Sequence, residues 1–385
     1  MKLPVSPTDW LERRWVTPAY AGWLLLFLTL CFFGAATNTM AGWLYVLSGL
    51  IIALLFLGAW FPPQVLKRLA VERLPIAPVS AGEDLTITVL IRNHSGQAKT
   101  LLQAWDLLPP ALGRPQGQAI EAIPPQSIHR WSYYQPTSQR GIYRWQGLEL
   151  RTGAPLGLFW CRRRRPLSGK AVVYPQVLPL RQCPLIDVIG QEENPQWQSQ
   201  RRYQAASEGV TKTLRPYRYG DSTRLIHWRS SARLDIFQVR ELEVVTGGQD
   251  IVITLDSGAD WAADRFEQAV IAAASLYFYA QRAQFNVKLW TAGTGLVAGN
   301  QAVLETLAAV QFSEPAQTPL PQRIPLLWLT GNTDSLGQLS GYSRWLWFRP
   351  SSQAQLPPGL SHRGLIVDPD ENLTQQLQQP LPRPL

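Results

Sequence analysis

Residues 19–61 read AYAGWLLLFLTLCFFGAATNTMAGWLYVLSGLIIALLFLGAWF. Two uncharged runs, 19–36 and 40–61, flank the short polar triplet Thr37-Asn38-Thr39. Each is close to the ~20 residues that a helix needs to cross a bilayer. A secretory signal would account for the first run alone, and its apolar core is long for one. The stretch therefore predicts a two-helix transmembrane hairpin over residues 19–61. The triplet carries no Lys or Arg, whereas Arg13 and Arg14 precede the first run and Lys67, Arg68 and Arg73 follow the second. Positive charge marks the cytoplasmic side, so the N-terminal segment 1–18 and everything after the hairpin are expected there. Trp15, Trp23, Trp43 and Trp60 fall toward the helix ends, where an amphipathic ring suits the headgroup boundary. Neither run holds an ionisable side chain, which points to an anchor and away from an ion path.

The remaining chain, out of 385 residues, has room for two or three compact units. Cys31, Cys161 and Cys183 supply neither an even disulfide set nor a paired CxxC metal site, and fit a reducing compartment. The net charge of +9 favours anionic neighbours: headgroups, nucleic acid or an acidic protein. Over residues 65–175, period-two alternation between Pro, Gly, Asn and Ser clusters predicts a β-sandwich-like module. Leu85, Ile87 and Val89 share one face there, and Asn93-His94-Ser95-Gly96 reads as a turn. Trp131, Tyr133, Tyr134, Tyr143 and Trp145 are expected as strand packing more than as a glycan or peptide site. The module ends on Arg162, Arg163, Arg164 and Arg165, which are candidates for anionic lipid at about 1 kcal/mol per charge near the surface. A solvated strand end is the plainer alternative. Cys161, beside them, would have a stabilised thiolate if exposed, but no base partner can be assigned.

Residues 208–233 read EGVTKTLRPYRYGDSTRLIHWRSSAR and lead through 176–246, a linker with an Arg-rich motif, into VRELE at 239–243. Arg215, Arg218, Arg224, Arg229, Arg233 and Arg240 face few counter-charges, and Arg forks recognise carboxylates or phosphates bidentately. Gly220 permits a tight turn, and Asp221 can cap the next segment or pair with Arg224. Asp221, Trp228 and Arg240, with Gly220, are expected to hold the motif's own structure. Arg215, Arg218, Tyr219, Arg224, Arg229 and Arg233 are the candidate partner surface, with an internal ion-pair lattice that fixes the loop into the final domain as the alternative for the arginines. Tyr217, Tyr219 and Trp228 also suit base stacking, but no nucleic-acid module accompanies them, so nucleic acid is not expected. His227 reads as a packed histidine.

This stretch resembles the bacterial membrane-protein family known as domain of unknown function 58 (DUF58). The elements that carry the likeness are Leu214-Arg215-Pro216-Tyr217, then Gly220-Asp221 with Arg224, Ile226 and Trp228, then Ser231-Ala232-Arg233 and Val239-Arg240-Glu241. A Pro155-Leu156-Gly157-Leu158-Phe159 stretch stands where the family usually has Pro-Phe-Gly-Leu-Phe. The resemblance implies a terminal von Willebrand A-like domain, an inner (plasma) membrane location and a setting beside MoxR-type AAA+ ATPases.

Within residues 247–349, Asp250-Ile251-Val252-Ile253-Thr254-Leu255-Asp256 has the look of a buried parallel strand presenting a carboxylate at its C-terminal edge. A helix over about 262–283 and strands near 286–290, 324–329 and 345–348 complete an open α/β sheet. Von Willebrand A domains hold Mg²⁺ through Asp-x-Ser-x-Ser. Here the stretch is Asp256-Ser257-Gly258-Ala259-Asp260, with both serine positions changed, and Asp256, Asp260 and Asp334 are the candidate oxygen ligands. No cofactor is expected beyond that Mg²⁺ option. The tail, 350–385, is rich in Pro and Gln and reads as irregular apart from 364–367.

The leading expectation is a non-catalytic, membrane-anchored scaffold or adaptor that presents the von Willebrand A-like domain to a cytoplasmic partner such as a MoxR-type ATPase. The alternatives are a metal-dependent hydrolase using Asp256 and Asp260, a thiol enzyme using Cys161, and a structural protein binding lipid or envelope polymers. HExxH, GxSxG and Walker A patterns do not occur.

Overall fold

In the computed structural model, residues 7–191, 210–217, 223–243, 250–321, 324–339, 343–351 and 364–381 are described. The chain divides into two compact units, 1–174 and 175–385.

The first unit opens with a short helix α1 (Pro7–Arg14) and strand β1 (Thr17–Pro18), which feed helices α2 (Tyr20–Thr39) and α3 (Gly42–Val65). These two helices are long and apolar enough to cross a membrane, with mean hydropathies of 1.7 and 2.3. The expected polar turn lies inside α2: the Thr37 and Thr39 hydroxyls donate back to the Gly34 and Ala35 carbonyls at 2.8 and 2.7 Å, which satisfies them without ending the helix. Met40, left-handed at φ 52°, makes the reversal instead. At the far end α3 continues through Pro62 and Pro63 to Val65.

Strands β2 (Leu69–Arg73), β3 (Val79–Ser80), β4 (Asp84–Asn93), β5 (Lys99–Asp106), β6 (Gln116–Ile123), β7 (Ile128–Pro136), β8 (Gly141–Thr152) and β9 (Phe159–Tyr174) follow. They form a three-stranded antiparallel sheet, β2-β4-β7, and a larger sheet in the order β1-β9-β8-β5-β6, with β3 beside β9. Alternate residues Leu85, Ile87, Val89 and Ile91 of β4 share one core with Leu102, Ala104, Leu148 and Leu150 of the larger sheet.

One ionic knot runs through this core. Asp106, fully buried on β5, accepts both of its Arg73 bonds at 2.6 Å, with Tyr133 at 2.8 Å and the Trp145 indole at 3.0 Å. The Arg73 guanidinium also lies 4.7 Å over the Trp145 ring. Arg73 and Tyr133 come from the three-stranded sheet, Asp106 and Trp145 from the larger one, so each sheet completes the other's polar groups.

The larger sheet is joined to the helices by the turn before β9. The Ala19 amide donates to the Leu158 carbonyl at 2.8 Å. Leu158 and Phe159 pack with Leu55, Leu25, Ile51 and Ala59 of the helices. Gly22 and Gly58 line the notch: a Cβ at Gly22 would collide with the Leu158 carbonyl oxygen, while Gly58 faces the Leu158 and Phe159 side chains at contact distance.

The second unit begins with α4 (Pro184–Gln191), β10 (Val210–Pro216), α5 (Trp228–Leu234) and β11 (Gln238–Glu243). Then come β12 (Asp250–Leu255), α6 (Ala263–Arg282), β13 (Asn286–Thr291), β14 (Gly295–Val297), α7 (Asn300–Ala309), β15 (Leu326–Thr330), β16 (Arg344–Phe348), β17 (Gly364–Val367) and α8 (Leu373–Leu377). The sheet order is β14-β13-β12-β15-β16-β17, parallel except for β14. Ile251, Ile253 and Leu255 of β12 point to a core shared with Phe266, Val270, Ala273 and Tyr277 of α6. The opposite face carries Trp290, Trp328, Trp345 and Trp347, all buried.

In the tail, Gly364–Val367, the exception to its expected irregularity, forms a parallel edge strand, and the difference from expectation is α8, which buries Leu377 in the helix-side core. Buried Gln376 closes the loop between them, accepting from the Asp368 amide at 2.7 Å and donating to the Asp368 and Glu371 carbonyls at 3.1 Å. A Gln-rich composition conceals this because the polar side chain is satisfied by backbone.

Two outcomes test this architecture. Gly22→Ala is expected to cost ~1–3 kcal/mol through overpacking, read as a lower Tm in detergent and faster exchange of the Ala19 amide; an unchanged amide would contradict the notch. Asp106→Ala is expected to cost ~3–5 kcal/mol, because it strands a buried guanidinium, while the paired change Arg73→Met with Asp106→Leu recovers most of that loss. Denaturant unfolding of the three variants checks it.

Candidate functional site

The Arg-rich motif folds as two antiparallel strands with a small helix set between them. β10 and β11 pair from Val210↔Glu243 to Pro216↔Gln238, with an irregularity between Thr211 and Thr213. His227 caps α5: its Nδ1 accepts from the Ser230 amide at 3.2 Å. Ser231, buried beneath the helix, donates to the His227 carbonyl at 3.0 Å and accepts from the Gln238 amide at 2.8 Å. That side chain fastens α5 to β11. Ile226 and Val239 are buried and bridge the same junction.

The outer surface is apolar and basic. Trp228 is 64% exposed, Leu234 58%, Ile236 59% and Phe237 55%. Phe237 meets Trp228 edge-on at 6.0 Å and Tyr217 at 6.4 Å. Arg229, Arg233 and Arg240 are exposed, with no acidic partner among the described residues. Arg215 donates to the Pro216 carbonyl at 3.3 Å. Trp228, expected as an internal support, instead stands at the first turn of α5 with one edge on Phe237 and the rest in solvent. Arg218, Tyr219, Gly220 and Asp221 lie outside the described residues, as does the side chain of Arg224.

A second set of polar residues sits at the C-terminal edge of β12 and β15, the position where open α/β sheets present ligand-binding groups. The Thr330 hydroxyl donates to Asp256 at 2.8 Å, and the Trp261 indole donates to the Asp256 carbonyl at 2.7 Å. Ser257, fully buried, turns away to donate to Glu314 at 2.9 Å and accept the Ala292 amide at 3.0 Å. Asp260 is exposed and accepts from the Ser313 hydroxyl at 2.9 Å. Asp334 is exposed at a 3-10 turn, its amide bound to Asn332. Among the described residues no three His, Cys, Asp or Glu side chains converge to hold a metal ion, so Asp256, Asp260 and Asp334 are not gathered into one site.

The other sequence candidates lie in the first unit. Arg162 pairs with Glu12 and Glu149 at 3.5 Å. Arg163 caps α1, donating to the carbonyls of Glu12, Arg13 and Trp15 at 2.8–3.3 Å and of Arg14 at 3.4 Å. Arg164 donates to the Gln146 carbonyl at 2.6 Å and Arg165 to that of Leu66 at 2.7 Å. The run expected to meet lipid therefore has protein acceptors for each guanidinium. Cys161 is fully buried, and burial pushes its thiol up despite Arg163 nearby, which is the reverse of the stabilised thiolate. Sequence reading missed Glu12, which is buried with Arg151 at 2.5 Å; nothing local marks a partner 139 residues away.

Burial also holds the Asp256 carboxyl above its ordinary range, against hydrogen bonds from Thr330, Ser335 and the Ala259 amide. A native pKa above the unfolded one adds stability that is complete below the unfolded value and is lost as pH rises through the native value. Asp256→Asn is thus expected to leave the second unit at least as stable at neutral pH and to flatten its acid-range stability profile. Thermal unfolding against pH checks this, and a Mg²⁺-dependent rise in Tm that the variant lacks would instead place Asp256 in a metal site.

No protein-family model matches the chain, and no curated protein does. Solved structures with some likeness include a CARDB domain from Pyrococcus furiosus in complex with di-metal ions, at 12% identity over 28% of this chain and 94% of that one, TM-score 0.21. An alkylpurine DNA glycosylase from Pseudomonas fluorescens bound to abasic-site DNA shares 8% identity over 26% of this chain and 30% of that one, TM-score 0.17. A β-glucosidase from Listeria innocua in complex with glucose shares 12% over 26% and 16%, TM-score 0.16. At these scores none of the three bears on what this chain does.

Proposed function

We propose that this chain is a DUF58-type inner-membrane protein that acts as a non-catalytic adaptor, holding a von Willebrand A-like domain at the cytoplasmic face for a protein partner of the MoxR-type AAA+ class. The observation that carries the reading is the exposed cluster of Trp228, Leu234, Ile236 and Phe237 bordered by Arg229, Arg233 and Arg240. Contiguous exposed apolar side chains mark an interaction surface, and Trp with Arg is the composition of interface hot spots. The border of cations selects an acidic surface on the partner and sets how it approaches. A von Willebrand A-like frame is supported by the open sheet with its single antiparallel strand, and a sandwich-like first module by two sheets on one core. Lys67 and Arg68, exposed after α3, join Arg13 and Arg14 in supporting cytoplasmic ends for a multi-pass hairpin.

The test is photo-crosslinking from Phe237, replaced by a benzophenone amino acid, in intact membranes with and without ATP. The expected result is a single ATP-sensitive protein adduct that Arg229→Glu with Arg233→Glu abolishes while membrane insertion persists. Trp228→Ala is expected to weaken the contact by about 2 kcal/mol, roughly thirtyfold. Lipid adducts alone, or none, would move the weight to a structural envelope role.

A further inference from the structure

The turn before β9 has more to it than the docking of a sheet. Leu158 and Phe159 pack against Leu25 of α2 and Leu55 of α3. Leu25 is in the second turn of α2, about 7 Å below the helix start at 1.5 Å per residue. If α2 covers a hydrocarbon core of about 30 Å, this part of the β-module lies inside the apolar layer. Backbone at that depth must satisfy its own polar groups, because lipid offers none. The turn does so. The Gly157 amide donates to the Gly153 carbonyl at 2.8 Å, the Ala154 amide to the Thr152 hydroxyl at 3.1 Å, and the Leu158 carbonyl accepts Ala19 at 2.8 Å. Pro155 has no amide to satisfy. At the outer side of the same turn, Leu156 is 46% exposed, with no charged residue between Thr152 and Cys161. Exposed aromatic rings continue the surface on the helices beside it: Tyr20, Trp60 and Phe61.

We propose that residues 155–158 form a lipid-inserted wedge, seated in the Gly22–Gly58 notch on one side and presenting Leu156 to the acyl chains of the adjoining leaflet on the other. The first unit is then fixed on the bilayer at two places, by its spanning helices and by a loop of its sheet. This rests on the membrane-spanning reading of the hairpin. The occupant is lipid because the exposed side of the turn continues the apolar surface of the two helices.

The experiment uses the full chain in phospholipid nanodiscs, with Cys31→Ser and with Cys161 and Cys183 buried. Nitroxide labels are placed one at a time through Leu156→Cys, Ile52→Cys on the exposed middle of α3, and Glu121→Cys on the far edge strand β6. Accessibility to oxygen and to a neutral nickel chelate is then measured by power saturation. The wedge requires the Leu156 label to resemble Ile52, with oxygen access high and nickel access several-fold below Glu121. A nickel-accessible Leu156 beside a protected Ile52 overturns the wedge and leaves the hairpin standing. Nickel access at both sites overturns both readings, and a Leu156 label shielded from both reagents shows that protein, not lipid, covers it.

Discussion

The hydrogen bond from Ala19 to Leu158 fixes the direction of a long apolar helix against the edge of a β-sheet. Everything in the first unit is arranged around that meeting point. β1 exists as two residues because the chain must pair with Phe159 and Trp160 before it turns into α2. Glycine is required at position 22 because the backbone of another element occupies the space a side chain would fill. The knot at Asp106 then holds the two sheets in one register, since a shift of one residue would carry Arg73 or Tyr133 to the opposite face and leave a buried carboxylate unpaired.

The arginines serve two opposite purposes. In the first unit their forks close backbone: Arg163 covers the end of α1 and Arg165 the carbonyl beyond α3. Planar, multidentate donors suit helix ends, where several carbonyls lack partners and point the same way. In the motif, Arg229, Arg233 and Arg240 stand in water next to large apolar side chains. The same residue type is structural in the first unit and, at these three motif positions, has no acidic partner among the described residues, and sequence alone gives no means of telling them apart.

What could be read from the sequence was what is local. Uncharged runs marked α2 and α3, alternation marked β4, and the acid-terminated run 250–256 marked β12 with Asp256 at its edge, because each depends on neighbours within a few residues. The helix expected over 262–283 is observed as Ala263–Arg282. What escaped depends on distant partners. Thr37 and Thr39 look like a turn until their hydroxyls find carbonyls within the helix. Glu12 looks like a solvated acid until Arg151 arrives, and nothing in the letters around Leu158 shows that its carbonyl and side chain meet α2 and α3. The motif's arginines and aromatics were legible, but the exposure of Trp228 was not: it carries the same letters whether it is packed or presented.

The seat of Leu158 also dictates an order of assembly. Glu12 and its Arg151 partner are separated by 139 residues, and the notch in α2 and α3 is synthesised before nearly all of the sheet that fills it. Chains emerge N-terminus first, so the two apolar helices are complete while their glycine faces are still empty. β9 is the last strand of the unit, and it completes the sheet and delivers Leu158 together. Completion of the β-sheet and filling of the groove thus become one closing step, and a nascent chain halted before β9 would leave the two apolar helices with an open groove.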